Sequence, residues 1–375
     1  METRKMRLSG IELLKVIAII LIIFSHTVPS YGTADRDAFI DLNFASSDFK
    51  VAVLSYFIYF GQIGNAIFIV CSAYFLLDSK LVKGQKILYI IADSFIISVV
   101  YLCSFLIAGY SLTTAEILLQ FIPIISRFSW FIGCYLIMYA VHPLLNKIIY
   151  STQKRNLLLF NIFLFVMYSV FEFVGGDEMN MFYYTHLVGF ICLYFYTGYV
   201  KLHMQNILSK SKLQAVILAL SIAGLTGLFA LTEYVGLKVD ALSDKMNHWD
   251  EINNPFMIGI AFSSFALFSK LKFQNRFINY LSSLSLIVYM IHENKLFRSH
   301  FKPRVFDFIY EKFSYTHIVG WCVLLVIATF IIAGLLSALY KETVGKLIKR
   351  AIDKIYPSLA SAGNKLTDRL AGKDE

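Results

Sequence analysis

Apolar residues in this chain come in long unbroken runs, and the polar residues are gathered between the runs instead of alternating with them. Ten windows read as crossings of a hydrocarbon layer about 30 Å thick. They are Ile11–Pro29, Val51–Leu77, Ile87–Ala108, Trp130–Ile149, Leu157–Val174, Phe182–Val200, Leu213–Leu231, Pro255–Phe268, Phe277–His292 and Ile318–Tyr340. The eighth is the shortest. Backbone amides in lipid have no water to bond with, so such runs fold as helices. The pattern predicts an all-α polytopic membrane bundle of about ten helices.

Polar connections give the bundle a direction, because Lys and Arg are retained on the cytoplasmic side. Alternate connections hold three basic residues each: Lys80, Lys83 and Lys86; Lys147, Lys154 and Arg155; Lys201, Lys210 and Lys212; Lys270, Lys272 and Arg276. The intervening connections hold few, namely Arg36 and Lys50, Arg127, then Lys238 and Lys245. Acidic residues such as Asp35, Asp37, Asp41, Asp177, Glu178 and Asp240 accompany these. Both termini are therefore expected inside. One outer connection breaks the rule, since Lys295, Arg298, Lys302, Arg304 and Lys312 follow the ninth window. We read it as a functional basic patch, suited to meeting an anionic polymer.

The chain divides into a membrane domain, residues 1–340, and a basic cytoplasmic tail, residues 341–375. In the tail Val344, Leu347, Ile348, Ile352 and Ile355 alternate with Lys346, Lys349, Arg350 and Lys354. That pattern suits a helix on the anionic inner leaflet, and equally a solvated extension of the last helix. No internal repeat or second soluble domain is evident.

Composition supports the class: 58% of the 375 residues are hydrophobic and 16% charged, with a mean hydropathy of +0.65, far from a soluble domain. The net charge of +9 would suit nucleic acid, but short basic clusters between apolar runs are topology signals, so no nucleic-acid partner is expected. The partners expected from the pattern are membrane lipids, at the cell membrane. Cys71, Cys103, Cys134, Cys192 and Cys322 all lie in or beside apolar runs without ligand spacing, so neither disulfides nor a metal is expected. Arg4, Lys5 and Arg7 precede the first run as in a signal peptide, but no clean small-residue cleavage site follows, and the first helix is expected to be retained.

The stretch from Glu12 to His26 places an acid, a lysine and a histidine in a membrane-length apolar run. Eleven steps along the chain lead from Lys15 to His26, three helical turns plus about 20°, so both occupy one face, about 16 Å apart along the axis. Glu12 joins that face as an ion-pair partner for Lys15. Ionisable groups in lipid are costly and usually functional, although Lys15 snorkelling inward beside Glu12, with His26 marking the interface, would satisfy the same spacing.

Arg7, Glu12, Leu14-Lys15 and His26 resemble the opening motif of the acyltransferase-three family of integral membrane O-acyltransferases: a basic residue, ten residues, then histidine. The family usually has arginine at the basic place. Lys15 departs from this, offering a point charge where arginine offers a bidentate fork. Weaker matches follow in order. Phe68 through Leu76 resembles the second-helix signature, with Ala73 where glycine is usual. Ser129-Trp130-Phe131-Ile132 through Pro143-Leu144-Leu145 is similar to the tryptophan-led fourth helix, and Ser283 through His292 to the late serine, tyrosine and histidine helix. The likeness runs from Arg7 to Tyr340.

The resemblance implies transfer of an acyl group, commonly acetyl, from cytoplasmic acyl-CoA to a hydroxyl of an extracytoplasmic or lipid-linked cell-envelope glycan, with acyl-CoA a co-substrate and no bound cofactor. His26 is then the candidate general base or a transient acyl carrier, and Lys15 and Glu12 bind or orient the donor. Lys80, Lys83 and Lys86 are candidates for the CoA phosphates. Trp130, Tyr289, His292 and Arg298 are candidates on the acceptor side. A transporter or flippase of a lipid-linked glycan would also use a polar Lys15–His26 face, but no inverted repeat or paired broken helix is visible.

Overall fold

A computed structural model describes residues 8–28, 49–125, 129–171, 186–236, 251–312 and 315–370. The elements are α1 Ser9–Thr27, α2 Phe49–Leu76, α3 Gly84–Ile107, α4 Thr114–Phe121, α5 Trp130–Ser151, α6 Lys154–Leu164 and α7 His186–His203. They continue as α8 Ser211–Gly236, α9 Pro255–Phe268, α10 Arg276–His292, α11 Lys302–Lys312, α12 Ile318–Glu342 and α13 Val344–Leu370. Among the described residues there is no strand.

Among the described residues, six helices are individually long and apolar enough to cross a membrane: α1, α2, α3, α5, α8 and α12. The other four predicted windows fall on shorter helices. These are α6, which runs on into a π-turn at Phe165–Val170, then α7, α9 and α10. The 14 residues of α9 span about 21 Å, less than the hydrocarbon thickness. That helix packs against α8 and α2 and buries Met257 and Ala261 completely. Pro29, residues 172–174 and 182–185, Arg7 and, from the connections expected outside, Asp35, Arg36, Asp37, Asp41, Arg127, Asp177, Glu178, Lys238, Asp240 and Lys245 lie outside the described residues.

The first helix is the hub, touching α2, α9, α10 and α12. Between Lys15 and Ser25 it is apolar around its circumference, as an enclosed helix must be, and Ile11, Leu14, Ala18, Ile19, Ile22 and Ile23 are all at most 1% exposed. Its close approach to α2 depends on a missing side chain. A Cβ on Gly64 would stand 2.5 Å from the Ala18 carbonyl oxygen and 2.7 Å from Ile22 Cγ1, the small-residue contact that brings membrane helices together. Gly64→Ala is therefore expected to destabilise the bundle by about 1–3 kcal/mol through overpacking, read as a lower midpoint of thermal unfolding in detergent. An unchanged midpoint would show that α1 and α2 can separate without cost.

The starts of α1 and α10 are tied together. Ser9 Oγ donates to Asn279 Oδ1 at 2.9 Å and accepts from the Asn275 N–H at 2.8 Å. Asn275 in turn caps α10, accepting from the Phe277 and Ile278 amides. Joined at their first turns, the two helices run parallel, so their last turns emerge together at the other face. Lys201 anchors the end of α2 on the starting side, pairing with Asp78 at 2.7 Å and donating to the Tyr74 carbonyl at 2.6 Å.

Candidate functional site

Two parallel helices that both end in histidine bring those histidines together. His26 occupies the last turn of α1 and His292 the last residue of α10. His292 Nδ1 lies 2.7 Å from the carbonyl of Val288, one turn back. A carbonyl only accepts, so Nδ1 carries the hydrogen and Nε2 of the neutral ring carries a lone pair. That Nε2 is 3.2 Å from His26 Nδ1, and Glu293 Oε2 is 2.7 Å from the same atom. Facing two acceptors, His26 Nδ1 holds its proton, and the lone pair of the neutral ring falls on its own Nε2.

Glu293 is held from its other side by Arg298, which donates to Oε1. Its carboxyl is 3% exposed. Burial alone would push it up, but Arg298, then His26 and Lys302, outweigh burial and hold it well below the usual carboxylate range. Lys302 lies across the end of α1 and donates from Nζ to the His26 carbonyl at 2.8 Å, satisfying one of the last-turn carbonyls that lack an intrahelical donor. Burial, reinforced by Arg298 and opposed by Glu293, pushes the Lys302 ammonium down to about 7. The order of residues on α10 assembles the group, since Tyr289, His292 and Glu293 stand three and four apart and share a face.

Aromatic rings line this face. Tyr289 is 6.5 Å from the His26 ring and 5.7 Å, edge to face, from that of His292. Phe131 stands 5.5 Å from Tyr289 and Trp130 5.8 Å from Phe131. Trp130 itself stacks on His186 at 3.8 Å, and His186 lies 3.8 Å from Glu251. Of the acceptor-side candidates, Tyr289, His292 and Arg298 converge on His26, while Trp130 is two rings removed.

At the opposite end, Lys15 Nζ is 3.5 Å from Glu12, Glu12 accepts from Ser282 Oγ of α10, and Lys15 stands 5.7 Å from the Phe75 ring. Ile19 and Ile22, each 1% exposed, fill the stripe between Lys15 and His26, so the two groups sit at opposite ends of a dry layer. The neighbouring basic cluster is divided. Lys80 and Lys83 are exposed, but Lys86 is committed to the protein, donating to Tyr135 Oη at 2.8 Å and lying over the Tyr139 ring at 4.4 Å.

The basic connection after α10 departs from the expected open patch. Arg298 and Lys302 turn inward onto Glu293 and His26, Arg304 donates to Tyr110 Oη at 2.8 Å, and His300 meets Glu116 at 2.8 Å. Low dielectric explains the turn, because a buried carboxylate and an exposed helix end are better partners for these cations than water is. Glu293 and Lys302 are the residues that no sequence motif singled out as members of the site. The signal for both was the positive excess in a connection that should have had little, since a buried acid requires compensating charge nearby.

His26, His292 and Glu293 place ligating atoms within 4.8 Å of one another. A divalent cation there would have to displace the His26 Nδ1 proton beside the fixed positive charge of Arg298. The group fits proton transfer better than metal ligation: His292 Nε2 holds the His26 Nδ1 proton at 3.2 Å, the Glu293 carboxylate lies 2.7 Å away to balance an imidazolium, and His26 Nε2 is left as a base.

The comparisons with known proteins give one result. The family model described as Acyltransferase domain matches residues 8–338. Searches of curated proteins and of solved structures return no significant match. That match covers both ends of α1 and all of α10, and the chain belongs to the acyltransferase-three family of membrane acyltransferases.

Proposed function

We propose that the protein transfers an acyl group, most simply acetyl, from acyl-CoA on the basic face to a hydroxyl of a cell-envelope or lipid-linked glycan on the opposite face. The observation that carries this reading is the His26–Glu293 pair, a buried carboxylate 2.7 Å from His26 Nδ1 that leaves Nε2 as the base. His26 Nε2 takes the proton of the acceptor hydroxyl as its oxygen attacks the thioester carbonyl. The tetrahedral intermediate collapses with cleavage of the C–S bond. The leaving thiolate takes the proton back from His26, giving an O-acyl ester and free CoA thiol. Glu293 stabilises the imidazolium formed on the way, and Arg298 keeps Glu293 ionised. The exposed Lys80 and Lys83 attract the CoA phosphates, and the Glu12-paired Lys15 meets the donor arm where it enters the bundle.

The test uses vesicles of the purified protein with radiolabelled acetyl-CoA and envelope glycan. Label in the glycan, in ester linkage, is the expected result. Glycan flux across the vesicle without label in any acceptor would overturn the reading in favour of a transporter. In the same assay Lys15→Arg is expected to keep or lower the KM for the donor, because the guanidinium adds a fork to the charge. Lys15→Met is expected to raise that KM about tenfold with a smaller change in kcat, a loss of about 1.4 kcal/mol of binding.

A further inference from the structure

The final helix carries a surface that the acyl-transfer chemistry does not use. Helix α12 ends at Glu342 and α13 begins at Val344, on the face where α3 also starts. Helix α13 packs against both α3 and α12. Its 27 residues extend about 40 Å. Both of its neighbours enter the apolar layer at that level, so α13 lies at the boundary between hydrocarbon and water.

One side of α13 faces the bundle. Asp353 accepts from Tyr89 Oη and, at 3.4 Å, from Gln85 Nε2, while Tyr356 packs so closely on Gly84 that a Cβ there would stand 2.6 Å from its hydroxyl. Ile348, Ile352, Tyr356 and Ala360, four residues apart, are half-buried. The next arc is apolar and bare: Val344 is 38% exposed, Leu347 63%, Ile355 54% and Leu359 53%. By helical geometry these span about 120°. Arg350, Lys354 and Lys365, all exposed, fall within about 60° along the edge of that arc. Asp353, the acidic group on this stretch, is turned to α3. An apolar stripe with Arg350, Lys354 and Lys365 along one edge, held at the bilayer boundary, is complementary to a leaflet of anionic lipid: acyl chains take the stripe and phosphate headgroups the cations.

We infer that α13 is a docking surface for anionic lipid, with Leu347, Ile355 and Leu359 immersed and Arg350, Lys354 and Lys365 on headgroups. Because Asp353 and Tyr356 grip the first turns of α3, docking also holds the adjoining segment that carries Lys80 and Lys83. This second clause rests on the donor role proposed for those lysines; the docking itself does not.

The experiment places a nitroxide at Ile355→Cys in the full chain, with the exposed Cys103 replaced by serine, in vesicles of phosphatidylcholine with or without phosphatidylglycerol. A second label at Asn364→Cys lies about 180° around the helix. Expected with phosphatidylglycerol is strong collision of the 355 label with oxygen and weak collision with a water-soluble nickel chelate, the 364 label showing the reverse. Arg350→Gln/Lys354→Gln/Lys365→Gln is expected to shift the docked ratio by on the order of a hundredfold and to raise the donor KM in the labelled-acetate assay. A 355 label accessible to nickel in both lipids, immersed equally in both, or shielded from both reagents by a second copy of the chain would overturn the inference. The label reports docking without turnover, so failure of the acyltransferase reading would show separately.

Discussion

Replacing His26 with glutamine lowers acyl transfer by about 10²–10⁴-fold, the usual contribution of a positioned general base. Glutamine keeps a side chain of similar reach that can still meet Glu293 and His292, but its amide has no lone pair of useful basicity where His26 presents Nε2. The side chain of His26 is 14% exposed, at the rim of the apolar layer, so the substitution leaves the packed stripe of Ile19, Ile22 and Ile23 untouched and the fold intact. Donor binding should survive, because Lys15 and Glu12 lie beyond that stripe and pair with each other and Ser282, not with the histidine. Initial rates of ester formation and a separate titration of acyl-CoA binding check both halves. A variant keeping more than a tenth of the wild-type rate would remove His26 from the reaction. Equal loss of transfer and of donor binding would mean that the two ends of α1 act as one site.

That division between the ends of α1 was legible in the residues. The spacing of Glu12, Lys15 and His26 fixes one face of one helix, and the structure keeps the Glu12–Lys15 pair at 3.5 Å. Apolar run length placed helices well: the eighth window and α9 share the bounds Pro255–Phe268. Run length did not settle how many of the ten cross the layer alone, because the 14 residues of α9 and the 17 of α10 fall at or below the length that a full crossing needs. The partners of His26 were harder to read. Glu293 is a local neighbour of His292, but its meeting with His26 spans most of the chain and depends on α1 and α10 being parallel, which Ser9, Asn275 and Asn279 decide at the other end. Charge counting drew attention to the connection after α10. It misjudged where Arg298 and Lys302 point, because a count cannot register a buried carboxylate that draws cations inward. Trp130 was named as an acceptor-side candidate, and its stack on His186 was not legible, since that contact joins α5 to α7 through space.

Glu293→Gln is the second large effect, and its two consequences can be separated. The carboxylate is enclosed by Arg298, His26 and Lys302, so removing its charge leaves buried cations without compensation, a loss of about 3–5 kcal/mol of stability. The same change weakens the hold on the His26 tautomer and the stabilisation of its imidazolium, lowering transfer by on the order of a hundredfold or more. Stability alone would explain an inactive preparation, so the informative variant is Glu293→Gln/Arg298→Met, which removes both members of the pair with little change in volume. It is expected to recover most of the unfolding midpoint but not the transfer rate. Recovery of both would make Glu293 a structural residue only. The pH dependence supplies an independent readout. The folded Glu293 carboxyl titrates below its unfolded value of about 4.3, so between the two values the unfolded chain binds more protons and stability rises with pH. Wild type should therefore hold this contribution fully above the ordinary carboxylate range and lose it as pH falls through and below about 4. The double variant should show a flatter profile over the same acid range, while the transfer rate at neutral pH remains low.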